Sequence, residues 1–509
     1  MSGLWSAVRA EWTKLRTVRG WVVALVAAVA VTVGIGYASA TGTRSGGCPG
    51  MRVCGPPKGP GGVAVVDTFT FVHRPLGPHG TLTARITSLT GRLAAPDDGA
   101  PDLEAWAKAG LIVRDGTAQG RTYAAVMATG GHGVRVQSDF THDTAGPQVP
   151  TPSAAAPRWL RLTRAGATVT AFTSSDGAHW TRVAAATLPG LPATAQVGLF
   201  ATAPERVAVD RHAVGSAATS EPTRATAEFD RVTLSGAEPA GVPDTGGWRT
   251  TVVGADPVAA AGSGAARRAL PGGAAFTVRG SGDIAPAVGG EAFGARSVER
   301  GLAGTFAGLL VLVVLGTSFA TAEYRRGLIR TTLAAQPHRG TVLAAKAVVV
   351  GAAAFAAGLA AAALSLALTT RRLHAEGVFV LPASTATQAR VVVGTALLLA
   401  LSAVLALAVG VVLRRAAGAV AAVVAGVVLP YLLVLTALPD AAARWVLRLT
   451  PAAAFAVQQT LVRYRQVAGL YTASEGYYPL APWAGLAVLL GWTAAVLTAA
   501  YALLRRRDG

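Results

Sequence analysis

Six stretches of this chain carry no Asp, Glu, Lys or Arg and are long enough to cross a bilayer. They lie between Arg19 and Arg44, Arg300 and Glu323, Lys346 and Arg371, Arg390 and Arg414, Arg415 and Asp440, and Glu475 and Arg505. A hydrocarbon core of roughly 30 Å takes about 20 helical residues. Inside it the backbone must satisfy its own hydrogen bonds, so runs of Ala, Val, Leu and Gly this long are expected to be helices. The last run opens with Tyr477, Tyr478 and Pro479, which read as an interfacial entry, so its span is expected to start near Trp483. Gly351 with Gly358, and Gly410 with Gly418, suit close helix packing, and Pro430 is expected to kink the fifth span.

The net charge of +19 would ordinarily suggest nucleic acid, but the distribution argues otherwise. Residues 41–300 hold 24 Lys/Arg against 20 Asp/Glu, and the remaining 249 residues hold 21 against 6, in clusters flanking the apolar runs. Such clusters orient membrane helices. With the N-terminus inside, the inner segments carry 14 basic residues and the short outer loops seven, Arg371, Arg372, Arg390, Arg444, Arg448, Arg463 and Arg465. This bias predicts a multi-pass plasma-membrane protein with both termini cytoplasmic and residues 41–300 outside. A cleaved signal peptide ending at Ala38-Ser39-Ala40 is the alternative for the first run, against which stand its length of about 20 apolar residues and its long basic flank. The other five spans keep their orientation either way.

Residues 4–19 have helical spacing. Leu4, Trp5, Val8, Trp12 and Leu15 recur on one side, with Arg9, Glu11, Lys14 and Arg16 mostly elsewhere. Such a helix lies in the headgroup plane, or else serves only as a basic flank for the first span. The interfacial residues singled out are Trp5, Glu11, Trp12, Lys14 and Arg16.

The domain plan expected is an interfacial helix (1–20), a first span (21–42), a Gly/Pro linker (43–62), an external all-β domain (63–236), a stalk (237–300) and a five-helix membrane core (301–509). The linker holds Cys48 and Cys54, a candidate short-loop disulfide outside the membrane. In 63–236, the segments at 159–163, 168–173 and 180–183 alternate around turns at Ala165-Gly166 and Asp176-Gly177, which is a hairpin signature. Further strands are expected at Thr81–Ile86, Leu111–Arg114, Tyr123–Met127, Val134–Gln137, Val197–Ala201 and Phe229–Leu234. Many short strands without helical periodicity predict an antiparallel sandwich.

The phrases Trp106-Ala-Lys-Ala-Gly-Leu-Ile-Val-Arg-Asp115, Trp159-Leu-Arg-Leu-Thr-Arg164, Ser174-Ser-Asp-Gly-Ala-His-Trp180 and Val197-Gly-Leu-Phe200 resemble the concanavalin-like, laminin-G-like modules of secreted bacterial proteins. The resemblance covers about 170 residues and implies a fold often used for glycans, though a shared fold transfers no function. Trp106, Trp159 and Trp180 are candidate glycan contacts, and aromatic residues on alternating strands are more often core. No Glu-x-Asp-x-x-Glu motif, Gly-x-Ser-x-Gly elbow or His-x-x-x-His pair occurs, so an envelope hydrolase is disfavoured and neither catalytic nor metal-binding residues are expected. Residues 237–300 are Gly/Ala/Pro-rich with strand-like pieces such as Ala275–Arg279, and are expected to form a tether.

After the second run comes Glu323-Tyr-Arg-Arg-Gly-Leu-Ile-Arg-Thr-Thr-Leu-Ala-Ala-Gln-Pro-His-Arg-Gly-Thr-Val-Leu-Ala-Ala-Lys346. Together with Glu11–Arg16 and Leu449-Thr-Pro-Ala-Ala-Ala-Phe-Ala-Val-Gln458, it resembles the permease subunits of the type-2 ABC transporter family over roughly 230 residues. The large insertion between spans one and two departs from the simplest members. Leu328, Ile329, Thr332 and Leu333 at helical spacing, followed by Pro337, describe a short amphipathic helix ended by proline. The resemblance implies that this is a coupling helix driven by an ATPase. It marks Glu323, Tyr324, Arg325, Arg326, Gly327, Arg330, Pro337 and Arg339 within the loop 323–346. No phosphate-cradling Gly-x-x-x-x-Gly-Lys-Ser/Thr occurs, so ATP and Mg2+ are expected on a separate ATPase chain and no cofactor on this one.

The implied partners are an ABC ATPase subunit, a second permease chain as homodimer or heterodimer, membrane lipids, and cell-envelope glycans, with no nucleic acid. Almost no ionisable residue is expected inside a span, which disfavours an ion relay and points to an amphipathic or apolar cargo. The alternative function is a membrane-anchored glycan or cell-envelope receptor.

Overall fold

The computed structural model describes residues 2–41, 55–93, 102–212, 215–236, 247–254, 262–270, 273–288, 296–325, 338–469 and 471–507. Cys48 and Cys54, and hence the expected disulfide, lie outside the described residues. The helices are α1 (Ser2–Thr17), α2 (Arg19–Thr41), α3 (Thr305–Arg325), α4 (Arg339–Ala375), α5 (Thr385–Leu413), α6 (Ala416–Thr436), α7 (Asp440–Leu449) and α8 (Pro482–Arg507). Six of these, all but α1 and α7, are long and apolar enough to cross a membrane. A large antiparallel β-sheet domain stands between the first and second of them.

Apolar runs without a polar stripe can be buried all round, and α5 uses this most: 72% of its apolar window is inside the bundle. Around it α3, α4 and α8 pack through a shared core that includes Leu309, Leu315, Val350, Ala354, Leu398, Ala403, Leu407 and Leu489. Close approach depends on small residues. A Cβ on Gly304 would fall 2.1 Å from the Thr32 carbonyl oxygen, one on Gly358 would meet the Ala396 Cα at 3.0 Å, and one on Gly410 would meet the Thr317 carbonyl at 3.2 Å. Gly418 has nothing within 4 Å, so the packing role expected for it is not seen in this chain. Pro430 lacks the N–H that would continue the α-helical ladder, and the turn before it, Val424–Val428, widens to π spacing. A 3-10 segment, Pro451–Gln458, enters the bundle with all eight residues buried. Gln458 Nε2 donates to Thr305 Oγ1 and Thr395 Oγ1, both at 3.2 Å, so this irregular backbone is tied down by protein groups.

One seven-stranded sheet runs Thr181–Thr187, Thr168–Ser174, Arg158–Ala165, His79–Leu93, Thr223–Gly236, Gly273–Gly280, Gly264–Leu270. The second runs Arg249–Val253, Phe69–Leu76, Ala195–Thr202, Lys108–Arg114, Tyr123–Thr129, Val134–Ser138, His142–Ala145. Leu82, Ile86, Leu160, Leu162 and Phe229 of the first meet Leu111, Val113, Val126, Val197 and Leu199 of the second, which makes a sandwich. Every predicted strand is present. The region 237–300, expected as a tether, instead contributes Arg249–Val253, Gly264–Leu270 and Gly273–Gly280 to the two sheets, and Ile284–Pro286 pairs with Val65–Asp67. Its small residues satisfy ladder hydrogen bonds without supplying the bulky alternation that marks a strand in sequence.

The central strands of the second sheet, Lys108–Arg114 and Tyr123–Thr129, are buried on both faces. Phe69, Phe71, Ile112, Tyr123, Met127 and Phe200 lie with Phe140 beneath the Val65–Asp67 ladder. Two ion pairs are enclosed there: Lys108 Nζ to Asp283 Oδ1 at 2.5 Å, and Arg114 Nη2 to Asp67 Oδ2 at 2.9 Å. The amide of Gly120 also donates to Asp67, at 2.8 Å. Removing one partner from such a pair strands a charge away from water. We predict that Asp67→Ala destabilises the sandwich by about 3–5 kcal/mol, whereas Asp115→Ala, whose partner Arg121 is exposed, costs at most about 1 kcal/mol. Chemical unfolding of the full chain in detergent, followed by tryptophan fluorescence, measures both.

Candidate functional site

The sandwich sits on the connections at one end of the bundle. Lys58 lies over the Phe379 ring at 5.8 Å, Gln466 Nε2 donates to the Phe140 and Thr141 carbonyls at 3.4 Å, and the Arg296 amide donates to the Phe379 carbonyl at 2.9 Å. At the opposite end, α1 lies across the bases of α3 and α4. Its inward stripe is Val8, Glu11 and Leu15, one helical turn apart, with Glu11 and Leu15 each 3% exposed. Leu4, Trp5 and Trp12 face outward. The stripe expected to be continuous therefore divides. The tryptophans are free to meet a bilayer interface, and Glu11, expected on the polar side, is turned into the protein.

Glu11 enters a closed ring of four charges. Lys346 Nζ donates to Glu11 Oε2 at 3.0 Å and to Glu323 Oε1 at 2.7 Å, and Lys14 Nζ donates to Glu11 Oε1 at 3.0 Å and to Glu323 Oε1 at 2.9 Å. Two carboxylates alternate with two ammonium groups, so the ring is neutral. Glu11, Glu323 and Lys346 are buried and Lys14 closes the solvent side. Lys346 Nζ also stands 5.1 Å from the Phe319 ring centroid. Among the described residues Glu323 Oε2 has no hydrogen-bond partner. The ring joins three segments that share no chain continuity: α1, the end of α3, and the second turn of α4.

Burial lowers the Lys14 pKa, but hydrogen bonds to Glu323 and Glu11 outweigh it and hold the group above its ordinary 10.5. Its share of the anchoring is complete below about pH 10.5 and is lost only as pH climbs through the raised value.

Two further contacts radiate from the ring. The Arg414 guanidinium lies 5.0 Å from the Tyr324 ring centroid and fixes the end of α3 to the tight turn between α5 and α6, where Arg414 takes a left-handed φ of 54°. Arg339 Nη1 donates to the Leu504 carbonyl at 2.8 Å and the Arg505 carbonyl at 3.3 Å, satisfying carbonyls at the end of α8. Of the loop residues expected to couple, Glu323, Tyr324 and Arg339 are thus structural ties, and Arg325 is the last residue of α3. Arg326, Gly327, Arg330 and Pro337 lie outside the described residues. Trp5, Trp12 and Arg16 are exposed on α1.

Lys346 was missed as a site residue. It ends the quoted loop and reads as a positive flank, but α4 begins at Arg339, which puts Lys346 roughly 10 Å up the helix. The expectation that spans are nearly free of ionisable groups is corrected accordingly, because Glu323 and Lys346 both fall inside spanning helices. The missing signal was a helix start hidden behind Pro337.

The three sandwich tryptophans separate. Trp106 is buried and stacked on His132 at 3.9 Å. Trp159 and Trp180 are half-buried on the outer face of the first sheet, opposite Leu160 and Leu162, so the core role does not hold for them. Arg161 stacks on Trp180 at 3.8 Å and Arg85 on Trp159 at 5.7 Å. The Ser174–Trp180 loop holds them in place: the Trp180 indole donates to the Gly177 carbonyl at 3.1 Å, and Asp176 is saturated by Ser174, His179 and two backbone amides.

No protein-family model matches the chain, and no curated protein matches it. Similar solved structures include a functionally unknown protein from Saccharomyces cerevisiae (17% identity, 33% of this chain, 75% of that chain, TM-score 0.18). Scytalido-glutamic peptidase (8%, 42% and 99%, 0.25) and peanut lectin (10%, 27% and 75%, 0.18) are others. At TM-scores this low, none of them identifies a transporter family, a concanavalin-like class or a function.

If the ring acts as one unit, its members are energetically coupled. We expect Glu11→Ala and Lys346→Ala each to destabilise the chain by about 3–5 kcal/mol, and the double variant to cost clearly less than their sum. Thermal melts of the four forms in one detergent complete the cycle.

Proposed function

We propose that this chain is the membrane-spanning permease subunit of an ABC-type transporter that exports an amphipathic or apolar molecule, with the sandwich outside the cell and the charge ring on the cytoplasmic side. ATP is bound and hydrolysed, with Mg2+, on a separate ATPase chain, and a second permease chain completes the assembly. The observation that carries this reading is the ring itself. A receptor needs only one span, whereas here an interfacial helix, two spanning helices and the C-terminal end of α8 are fastened together at the point where a loop leaves the membrane. A push on that loop would reach α3 and α4 directly, α1 through Glu11, and α8 through Arg339. An apolar groove of about 610 Å³ between α2 and α3, lined by Trp21, Ala24, Leu310, Val314 and Leu315, offers an apolar cargo a lateral path.

The second reading is a membrane-anchored receptor for cell-envelope glycans. It is favoured by the outer sheet face, where half-exposed Trp159 and Trp180 are held rigid with arginines stacked against them, the kind of surface on which sugar rings lie. The two readings part in experiment. Affinity purification of the full chain from its native membrane is expected to bring down an ATP-binding subunit, and Arg325→Glu combined with Arg326→Glu is expected to reduce its recovery at least about tenfold. Retention of envelope polysaccharide that is lost in Trp159→Ala and Trp180→Ala, with no ATPase recovered, would favour the receptor instead.

A further inference from the structure

The charge ring leaves one donor and one acceptor unused. An ammonium carries three N–H donors. Among the described residues Lys346 Nζ uses two of them, on Glu11 Oε2 at 3.0 Å and on Glu323 Oε1 at 2.7 Å. The Phe319 ring, 5.1 Å away, offers only its π-face. Glu323 Oε2 accepts nothing. Lys346 is 5% exposed and Glu323 8%, so bulk solvent does not supply the missing partners. Both residues line one small cavity of about 20 Å³. Its walls also include Ala320 of α3, Leu343 of α4, Val411 of α5 and Leu504 of α8, so it lies where four spanning helices meet. Tyr324 and Arg339 reach it as well.

We infer that this cavity holds one ordered water molecule, which accepts from Lys346 Nζ and donates to Glu323 Oε2. Volume sets the number, because a water needs about 10–15 Å³ and the cavity takes one. Chemistry sets the identity. Cavities that stay dry are lined by apolar groups, whereas this one has a buried donor and a buried acceptor on the two sides of a 2.7 Å ion pair. Water supplies both functions. A metal cation is opposed by the Lys346 ammonium, and an inorganic anion by the Glu323 carboxylate. Leaving an oxygen of an ionised group without a partner costs more than immobilising a water. The ring thereby gains a fifth member, which faces the α5 and α8 walls and not Lys14, a residue outside the cavity lining. The site is independent of any transported molecule.

X-ray hydroxyl-radical labelling of the purified full chain in neutral detergent, read by mass spectrometry, tests this. A held water generates radicals where it sits and oxidises side chains that bulk solvent does not reach. Leu343, 6% exposed, is therefore expected to be oxidised several-fold faster than Leu405 and Leu486, which are 5% and 6% exposed and do not line the cavity. Ala320→Val adds two methyl groups to the cavity wall and is expected to bring Leu343 down to the rate of Leu405. Val411→Ile, a gentler filling that serves if the first variant does not fold, is expected to lower the Leu343 rate in part, with a thermal melt confirming that each variant is folded. A Leu343 rate no higher than that of Leu405 in the native chain overturns the inference, because the cavity is then dry. A fast Leu343 rate that persists in whichever filled variant folds also overturns it, because bulk solvent then reaches this end of α4 without a held molecule.

Discussion

Two carboxylates and two ammonium groups at the base of a membrane bundle are expensive to remove from water, and they can be tolerated only if all four are present together. Glu11, Lys14, Glu323 and Lys346 meet that condition by alternating in a closed circuit, each anion touching both cations. Because three of them are buried, the circuit behaves as a single joint more than as a set of surface ion pairs. Everything at that end is organised around it. Helix α1 is held against the bundle, α3 and α4 are fixed to each other near the end of the one and the start of the other, and the Tyr324–Arg414 and Arg339–α8 contacts extend the joint to the α5–α6 turn and to α8.

The opposite end is built by different physics. There the sandwich is seated by small apolar contacts, among them Ala64, Leu381, Phe379 and Leu461, and by a few backbone hydrogen bonds. The central strands of its second sheet are covered on both faces, which requires Lys108 and Arg114 to be neutralised inside the protein by Asp283 and Asp67. The outer face of the first sheet carries the stacked arginine and tryptophan pairs. The molecule thus presents a β-sandwich with arginine–tryptophan pairs at one end and a charged joint at the other, with α5 as the buried axis between them.

Much of this was legible in the sequence. Charge-free runs marked the number and position of the spans because each is long enough to cross a bilayer as a helix, and the last begins at Pro482, one residue from its expected start. Asp176-Gly177 and the alternation around it marked the hairpins correctly. The ring was not legible. Glu11 and Lys14 lie about 300 residues from Glu323 and Lys346, Glu11 is on the face that looks polar on a helical wheel, and Lys346 looks like a flanking charge until the start of α4 is known. The strands between Arg249 and Pro286 were hidden for a different reason: their Gly and Ala residues carry backbone pairing without a side-chain pattern. Trp159 and Trp180 could not be assigned from alternation alone, since both faces of a strand alternate equally well.

The central claim is that the ring fastens α1 to the bundle. Hydrogen–deuterium exchange of the full chain, compared between the native sequence and Lys346→Met, tests it most directly. The account predicts that amides of residues 2–17 lose protection in the variant while the strands of the sandwich exchange as before. Unchanged protection across residues 2–17 would contradict it, and would mean that the apolar contacts of Val8 and Leu15 hold the helix without the charges.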